Sequence, residues 1–260
     1  MKILILTSAL NGTAAHHLEV ILKEPSIQVV SVIYSQGAPK SFYKKAFQKF
    51  RKILKIGLLG ALNGIKMRKW YHEDVSKYVK IQNLEDLCKA NRVPFSKTMS
   101  INSEDTIELF KASGAEIGIS LGNGYITNKI FTILPEGMLN IHHEILPEFQ
   151  NAQSVIWQIY NGSNKTGYTI HKINKKIDTG EILYQKELPI IFKGTLAETV
   201  SASYAEVLKQ SAIGLVTVLK DYRFFLKSAV VQRVGHTYTT PSFTQFLKMK
   251  RQFKKLINTI

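Results

Sequence analysis

KILILTSALNGTAAHHLEVILKEPSIQVVSVIY, Lys2 to Tyr34, is the stretch that decides the fold. Residues 2–7 form an unbroken apolar run closed by Thr7, the signature of a strand buried on both faces. Asn11-Gly12-Thr13 makes a turn, after which Ala15, Leu18, Ile21 and Leu22 recur at helical spacing. Residues 27–34 are rich in β-branched side chains and read as a second strand. A strand, a helix and a strand in this order predict a parallel sheet with helices on its faces.

The pattern resumes further along. Residues 83–91 read as a helix, followed by a short extended piece at Pro94-Phe95. A second helix spans 103–114, from a Ser N-cap to Gly114. AEIGISLG (115–122) and GMLNIH (137–142) are strands, and SVIWQIYNG (154–162) is a helix closed by Asn161-Gly162. Residues 166–173 and 180–190 alternate as two more strands. Thr195 and Glu198 have capping-box spacing and open a long helix to about Lys220. The expected fold is α/β: a Rossmann-like open, mostly parallel sheet with helices on both faces, spanning residues 1–220. A basic helical insertion at about 36–80 and a short basic C-terminal extension, 221–260, complete it.

Charge is the unusual feature of this chain. Its 260 residues hold 35 Lys or Arg against 19 Asp or Glu, a net charge of +16. That excess suggests anionic partners: a phosphorylated small molecule, nucleic acid or an anionic membrane surface. From Lys40 to Lys80, twelve Lys or Arg oppose only Glu73 and Asp74, so this piece carries ten of the sixteen net charges. Tyr43, Phe47, Phe50, Ile53 and Leu54 lie near helical spacing, which predicts a basic amphipathic helix or helix pair. Its plain reading is an apolar face packed on the body and a solvated basic face. Peripheral membrane contact, or a cover over an anionic acceptor, are the alternatives. Lys248, Lys250, Arg251, Lys254 and Lys255 form a second basic patch.

Cys88 is the sole cysteine, which excludes an intramolecular disulfide and points to a cytoplasmic protein. The apolar start contains Thr7 and Ser8 and lacks a clear cleavage site, so it reads as a strand rather than a signal peptide. The later apolar run, Ile56–Ile65, falls well short of the roughly 20 residues a spanning helix needs.

The chemistry concentrates in MLNIHHEILPEF, Met138 to Phe149, where an apolar strand runs straight into polar residues. Asn140 and His142 are two apart at the strand end, so their side chains share a side. Open parallel sheets bind ligands at the carboxyl ends of their strands. Asp178-Thr179-Gly180 is a loop signature just before a later strand. Asn, His and Asp together can run an acyl transfer: an amide N–H and an imidazolium stabilise an oxyanion while a carboxylate sets the His charge and moves protons. Each also has an ordinary structural role, the Asn and Asp in turns and the His as a satisfied polar group. No G-x-S-x-G supplies a nucleophile elbow, and Asn11-Gly12 is neither a P-loop nor a dinucleotide fingerprint. The adjacent His pairs, 16-17 and 142-143, diverge, so no metal is expected.

The order of these pieces resembles the folate-dependent formyltransferases, which act on glycinamide ribonucleotide, methionyl-tRNA or nucleotide sugars. Asn140-Ile141-His142, Leu146-Pro147, Thr166-Gly167 with Thr169-Ile170, and Asp178-Thr179-Gly180 with Ile182-Leu183 carry the resemblance, which covers residues 1 to about 220. It implies a catalytic Asn140, His142 and Asp178, with 10-formyltetrahydrofolate bound along Leu121, Gly122, Asn123, Gly124, Tyr125 and Ile126 and beside Ile177 and Asp178. The acceptor amine would enter past Thr7, Asn11, Gly12 and Thr13, with Glu144 as a further ligand or a solvated loop residue. The working mechanism has Asn140 and a protonated His142 hold the oxyanion, with Asp178 keeping His142 charged and relaying protons through a water. Departures from the family's pattern are His143 and Glu144 after the His, and Gln150-Asn151 where Arg-Gly is usual.

A core with a short tail looks most like the nucleotide-sugar enzymes, so the expected acceptor is an amine on a nucleotide-linked amino sugar. Methionyl-tRNA-type and ribonucleotide enzymes remain as alternatives. A formyltetrahydrofolate hydrolase would use the same three residues with water, but it usually carries an N-terminal regulatory domain, for which no room exists before Met1. A non-catalytic nucleic-acid or membrane-binding protein on this fold would explain the charge but not the retained Asn, His and Asp. A homodimer is left open.

Overall fold

The computed structural model describes residues 1–37 and 41–259; positions 38–40 at the start of the expected insertion, Lys40 included, lie outside the described residues, as do the side chains at 44, 45, 48, 49 and 52. The strands are β1 (Lys2–Thr7), β2 (Gln28–Ser35), β3 (Phe95–Thr98), β4 (Ile117–Leu121), β5 (Met138–His142), β6 (Lys165–Lys172) and β7 (Ile182–Pro189). They form one sheet in the order β3-β2-β1-β4-β5-β6-β7. The first five pair in parallel, while β6 and β7 run antiparallel at one edge. The chain winds outward from β1 to β3, then returns to start β4 on the other side of β1. That reversal opens a crevice at the carboxyl ends of β1 and β4.

The helices are α1 (Thr13–Ile21), α2 (Phe42–Ile56), α3 (Leu58–His72), α4 (Leu84–Ala90), α5 (Glu104–Ala112), α6 (Asn128–Phe131), α7 (Ile156–Tyr160), α8 (Leu196–Lys220), α9 (Tyr222–Lys227) and α10 (Phe243–Ile257). They cover both faces of the sheet, and the alternation of β1 shows how. Ile3 and Ile5 pack with Leu18 of α1, Leu84 and Leu87 of α4 and Val207 and Leu215 of α8. Leu4 and Leu6 pack on the opposite face with Ile107 and Phe110 of α5 and Ile130 of α6. α8 is held at its start by the capping box, in which Thr195 Oγ1 accepts from the Glu198 N–H and the Glu198 carboxylate accepts from the Thr195 N–H. Gly214 on α8 is required by contact: a Cβ there would meet the Tyr168 hydroxyl at 2.2 Å.

Two features differ from the sequence reading. β6 is buried from Thr166 to His171 rather than alternating, because it lies inside the sheet between β5 and β7. The insertion is a helix pair broken at Gly57, whose φ is 75°, but most of the described apolar side chains of α2 and the first half of α3 are exposed rather than packed on the body. Among the described residues, packing comes mainly from α3, with Gly60 against Ser242 and Phe243 and with Met67 and Trp70 set among Ile156, Trp157, Met249 and Phe253. The described α2 side chains stay outside that cluster, and Phe42, Phe47, Phe50 and Leu54 are exposed.

Candidate active site

The crevice holds a cavity of about 500 Å³ lined by the ends of β4, β5 and β6 and by the loops that follow them. Asn140 and His142, alternate residues of β5, both line it. Asp178 reaches the same wall from the loop before β7, with a left-handed φ of 53° that Asp tolerates better than most residues. Gly180, two residues on, is fixed by close approach, because a Cβ there would lie 1.7 Å from the Lys172 carbonyl oxygen. The Asp-Thr-Gly spacing therefore lets the loop press against β6 and aim Asp178 inward.

A fourth residue, His171, joins them. It stands opposite Asn140 in the antiparallel β5–β6 register and is buried. Its Nδ1 lies 2.8 Å from the Lys172 carbonyl and so carries the hydrogen, which leaves Nε2 to accept from the Asn140 amide at 3.2 Å. Asn140 has two amide hydrogens, so one is left for the cavity. His142 Nε2 donates to the Phe149 carbonyl at 2.8 Å, and its Nδ1 faces Asp178 Oδ2 at 3.6 Å. Asp178 Oδ1 is 3.7 Å from His171 Nε2, and Oδ2 accepts from the Asn151 N–H at 2.8 Å.

Burial pushes the Asp178 carboxyl upward, but His171 and His142, which when protonated donate to it or face it with positive charge, together with the Asn151 N–H outweigh burial and hold the group down at about 2. Asp178 is therefore a carboxylate at neutral pH. Burial also dominates at His142 and lowers it, although the Asp178 charge and the Phe149 carbonyl act the other way. His142 is thus neutral in the resting site, which corrects the expectation of a standing imidazolium. With the hydrogen on Nε2, its Nδ1 lone pair faces Asp178 across a gap too long for a hydrogen bond.

Of the residues expected to hold the donor, Gly122, Asn123, Gly124, Tyr125, Ile126, Ile177 and Asp178 all line the cavity. A Cβ on Gly122 or Gly124 would meet nothing within 4 Å, so backbone is open to a flat ring at this wall. Asn123 has a structural duty as well, donating to the Leu6 carbonyl at 2.6 Å and accepting from Ser8 at 2.9 Å. Leu121 is different: its side chain is buried in the sheet, and its carbonyl receives the Thr7 hydroxyl at 2.7 Å.

The expected acceptor side is mostly corrected. Thr13 lines the cavity, but Thr7 is buried and its hydroxyl is engaged with Leu121. Asn11 is exposed and pairs with Asn83 at 3.2 Å, while Gly12 serves as the N-cap of α1; neither lines the cavity. Glu144 is neither solvated nor in the cavity. It is fully buried, and its Oε1 accepts from the Val155 N–H at 2.6 Å. Burial raises its carboxyl well above the ordinary range. Val155 has a φ of 72°, an outlier for a β-branched residue, so Glu144 clamps a strained turn that carries Ser154 and Gln153 into the cavity wall. Asn151, standing where the resembling enzymes usually have Gly, has a φ of 53°, which Asn accepts more readily than most side chains.

A further part of the wall is aromatic and, apart from His143, was not foreseen. Tyr71 and His72 from the end of α3, His143, and Tyr204 of α8 line the cavity. The Tyr71 hydroxyl donates to the Ser154 carbonyl at 2.6 Å, and its ring meets Tyr204 edge-on at 5.1 Å. His143 lies 5.5 Å from Tyr204, and burial keeps it neutral. Lys176 is the one Lys or Arg among the described lining residues.

Comparison with known proteins bears on this arrangement. The chain is 32% identical over 105 residues to a methionyl-tRNA formyltransferase of Thermotoga sp. (strain RQ2), covering 40% of this chain and 34% of that protein. It thus spans about a third of the length of that curated relative. A phosphoribosylglycinamide formyltransferase from Anaplasma phagocytophilum shares the fold at a TM-score of 0.57 and 15% identity, over 92% of this chain and 99% of that one. So does an N-formyltransferase from Helicobacter canadensis in complex with folinic acid and dTDP-3-aminofucose, at a TM-score of 0.55 and 16% identity, over 97% of this chain and 80% of that one. The sequence pattern that defines the formyl transferase family matches residues 67–219, more than half of the chain, and takes in Asn140, His142, His171 and Asp178. The chain belongs to the formyl transferase family.

Proposed function

We propose that this chain transfers a formyl group from 10-formyltetrahydrofolate to a primary amine, and that the amine sits on a nucleotide-linked amino sugar. The observation that carries the reading is the convergence of Asn140, His142, His171 and Asp178 on one cavity in a member of this family. The donor, a substrate here, supplies an activated formyl carbon. Its flat ring system fits the open backbone at Gly122 and Gly124 and the loop at Ile177.

In the proposed reaction the amine nitrogen forms a bond to the formyl carbon and the bond from that carbon to the donor nitrogen breaks. Asn140 gives its second amide hydrogen to the carbonyl oxygen as that oxygen gains charge. His142 Nδ1 takes the proton released by the amine, and Asp178 stabilises the resulting imidazolium from 3.6 Å. His142 then returns that proton to the departing nitrogen, which leaves the site as it began. His171 fixes the Asn140 amide, so it is a positioning residue.

Two observations support an amino-sugar acceptor. The Helicobacter canadensis neighbour was determined with dTDP-3-aminofucose. The wall of Tyr71, His143 and Tyr204 offers aromatic faces and edges to the apolar side of a sugar ring. The chain's large positive charge is a weaker argument, since Lys176 is the one described Lys or Arg at the cavity.

The test incubates the chain and 10-formyltetrahydrofolate with a dTDP-linked amino sugar, glycinamide ribonucleotide, methionyl-tRNA or no amine. Mass gain by the sugar nucleotide alone is the expected result. Transfer only to methionyl-tRNA or the ribonucleotide overturns the acceptor. Folate release of equal rate without any amine overturns transfer in favour of hydrolysis.

A further inference from the structure

Among the described residues, nineteen large hydrophobic side chains are exposed, and nine of them fall between Phe42 and Ile65. They are contributed by α2 (Phe42, Tyr43, Phe47, Phe50, Leu54) and by the first half of α3 (Leu58, Leu59, Leu62, Ile65), with exposures from 53% to 83%. At about 100° per residue the α2 members occupy one arc of the helix. The same helix carries six Lys or Arg and no acidic residue. α10 runs beside α3, with Gly60 packed against Ser242 and Phe243, and adds exposed Lys248, Lys250, Arg251, Lys254 and Lys255. An apolar face this large, exposed beside Arg51 and Lys55 of α2 and the cations of α10, is an interaction surface rather than a scatter of surface residues.

We propose that the α2–α3 hairpin docks the protein onto an anionic lipid bilayer, with its aromatic and aliphatic side chains in the interface and its cations among the headgroups. Charge complementarity selects this occupant. A second copy would bring two all-cationic helices together. Single-stranded nucleic acid would engage the cations and the aromatic rings but gives no role to five exposed aliphatic side chains, Leu54, Leu58, Leu59, Leu62 and Ile65. No helix of the described residues is long and apolar enough to cross a membrane, so the contact lies on the surface. The hairpin ends at Tyr71 and His72 in the cavity wall, so docking sets the cavity near the bilayer. The inference stands apart from the choice of acceptor.

The test is sedimentation of the full chain with phosphatidylcholine–phosphatidylglycerol vesicles and with phosphatidylcholine vesicles. Binding at least about tenfold tighter to the anionic vesicles is expected, with a steep fall at rising salt. A Phe47→Asp/Phe50→Asp variant is expected to lose at least about tenfold in vesicle affinity while keeping its melting temperature. The Asp178→Asn protein is expected to bind as the unaltered chain does, so loss of chemistry and loss of docking are read separately. Absence of vesicle binding overturns the proposal, as does binding that the double variant leaves unchanged. So does a doubled mass in light scattering, or RNA binding, that the double variant abolishes while vesicle binding is unaffected.

Discussion

The cavity floor and the α2–α3 hairpin break the same rule in opposite directions. At the floor, polar and charged groups are buried: His171 is 2% exposed, and the Asp178 side chain is 11% exposed. On the hairpin, phenylalanines and leucines stand in solvent, Leu54 at 70%. Burying polar groups costs free energy unless they are partnered, and the floor partners nearly all of them with one another. Exposing apolar surface costs free energy until something covers it. The first is a set of buried groups that satisfy one another; the second, on our proposal, is half of an interface. Both departures are local, and both meet at the end of α3, where Tyr71 closes the aromatic wall.

Removing the floor's charge should have the largest effect. Asp178→Asn should lower formyl-transfer kcat/KM by roughly a thousandfold, within the usual range for a positioned acid–base group, with the fold kept by circular dichroism. The same residue has a stability signature. Its carboxyl titrates at about 2 in the folded protein, against about 3.9 in an unfolded chain. A depressed pKa contributes stability above the unfolded value and loses it as pH falls through the folded one. Roughly 2–3 kcal/mol should therefore disappear between about pH 4 and pH 2, in urea melts of the unaltered chain and not of Asp178→Asn. An acid limb of equal size in both proteins would show that the depressed carboxyl lies elsewhere. Asn140→Ala should reduce kcat by about a hundredfold, with KM little changed, as expected for a donor used mainly in the transition state.

The floor was largely legible in the sequence and the hairpin only half so, for a physical reason. Asn140 and His142 interrupt an apolar run at a strand end, where burial would otherwise favour Val or Ile, and Asp178 opens an Asp-Thr-Gly turn just before a strand, so these residues stand out without coordinates. The βαβ opening and the capping box at Thr195 are local signals, and they produced the elements they predict. His171 escaped because its role depends on the antiparallel register that sets it opposite Asn140, and pairing partners are not written in one strand alone. The acceptor-side residues were misplaced for a related reason. Glu144 follows the cavity residue His143 in sequence and Thr7 ends a strand beside the crevice, yet bonds to backbone turn both inward, to Val155 and to Leu121. The amphipathic period of the hairpin was visible, but periodicity identifies an apolar face without saying what lies against it.

Glu144 tests whether the floor's order depends on buried support outside the cavity. Glu144→Ala leaves the Val155 N–H without its acceptor in the interior, and should cost about 1–3 kcal/mol. It should also loosen the 151–154 wall, read as faster amide exchange there. Glu144→Gln keeps an acceptor and should cost less than about 1 kcal/mol. Because burial raises the Glu144 carboxyl, its contribution is fully present below the unfolded value of about 4.3 and is lost as pH rises toward the folded one. The Gln variant should therefore gain on the unaltered chain as pH increases. Equal pH dependence in the two proteins would mean that Glu144 is ionised in the fold.

The smallest expected effect comes from the hairpin. In vesicle-free buffer, Phe47→Asp/Phe50→Asp replaces two side chains exposed at 61% and 57%, and surface changes of this kind stay within about 0.5 kcal/mol. The two carboxylates also enter a helix with six cations and no acid, which relieves like-charge repulsion. Thermal melts of the variant should therefore match or slightly exceed those of the unaltered chain, at every protein concentration. A loss larger than about 2 kcal/mol is the scale of removing a packed core side chain. If that loss grew with protein concentration, α2 would be covered by a second copy, and the contrast between a finished floor and an uncovered hairpin would fail.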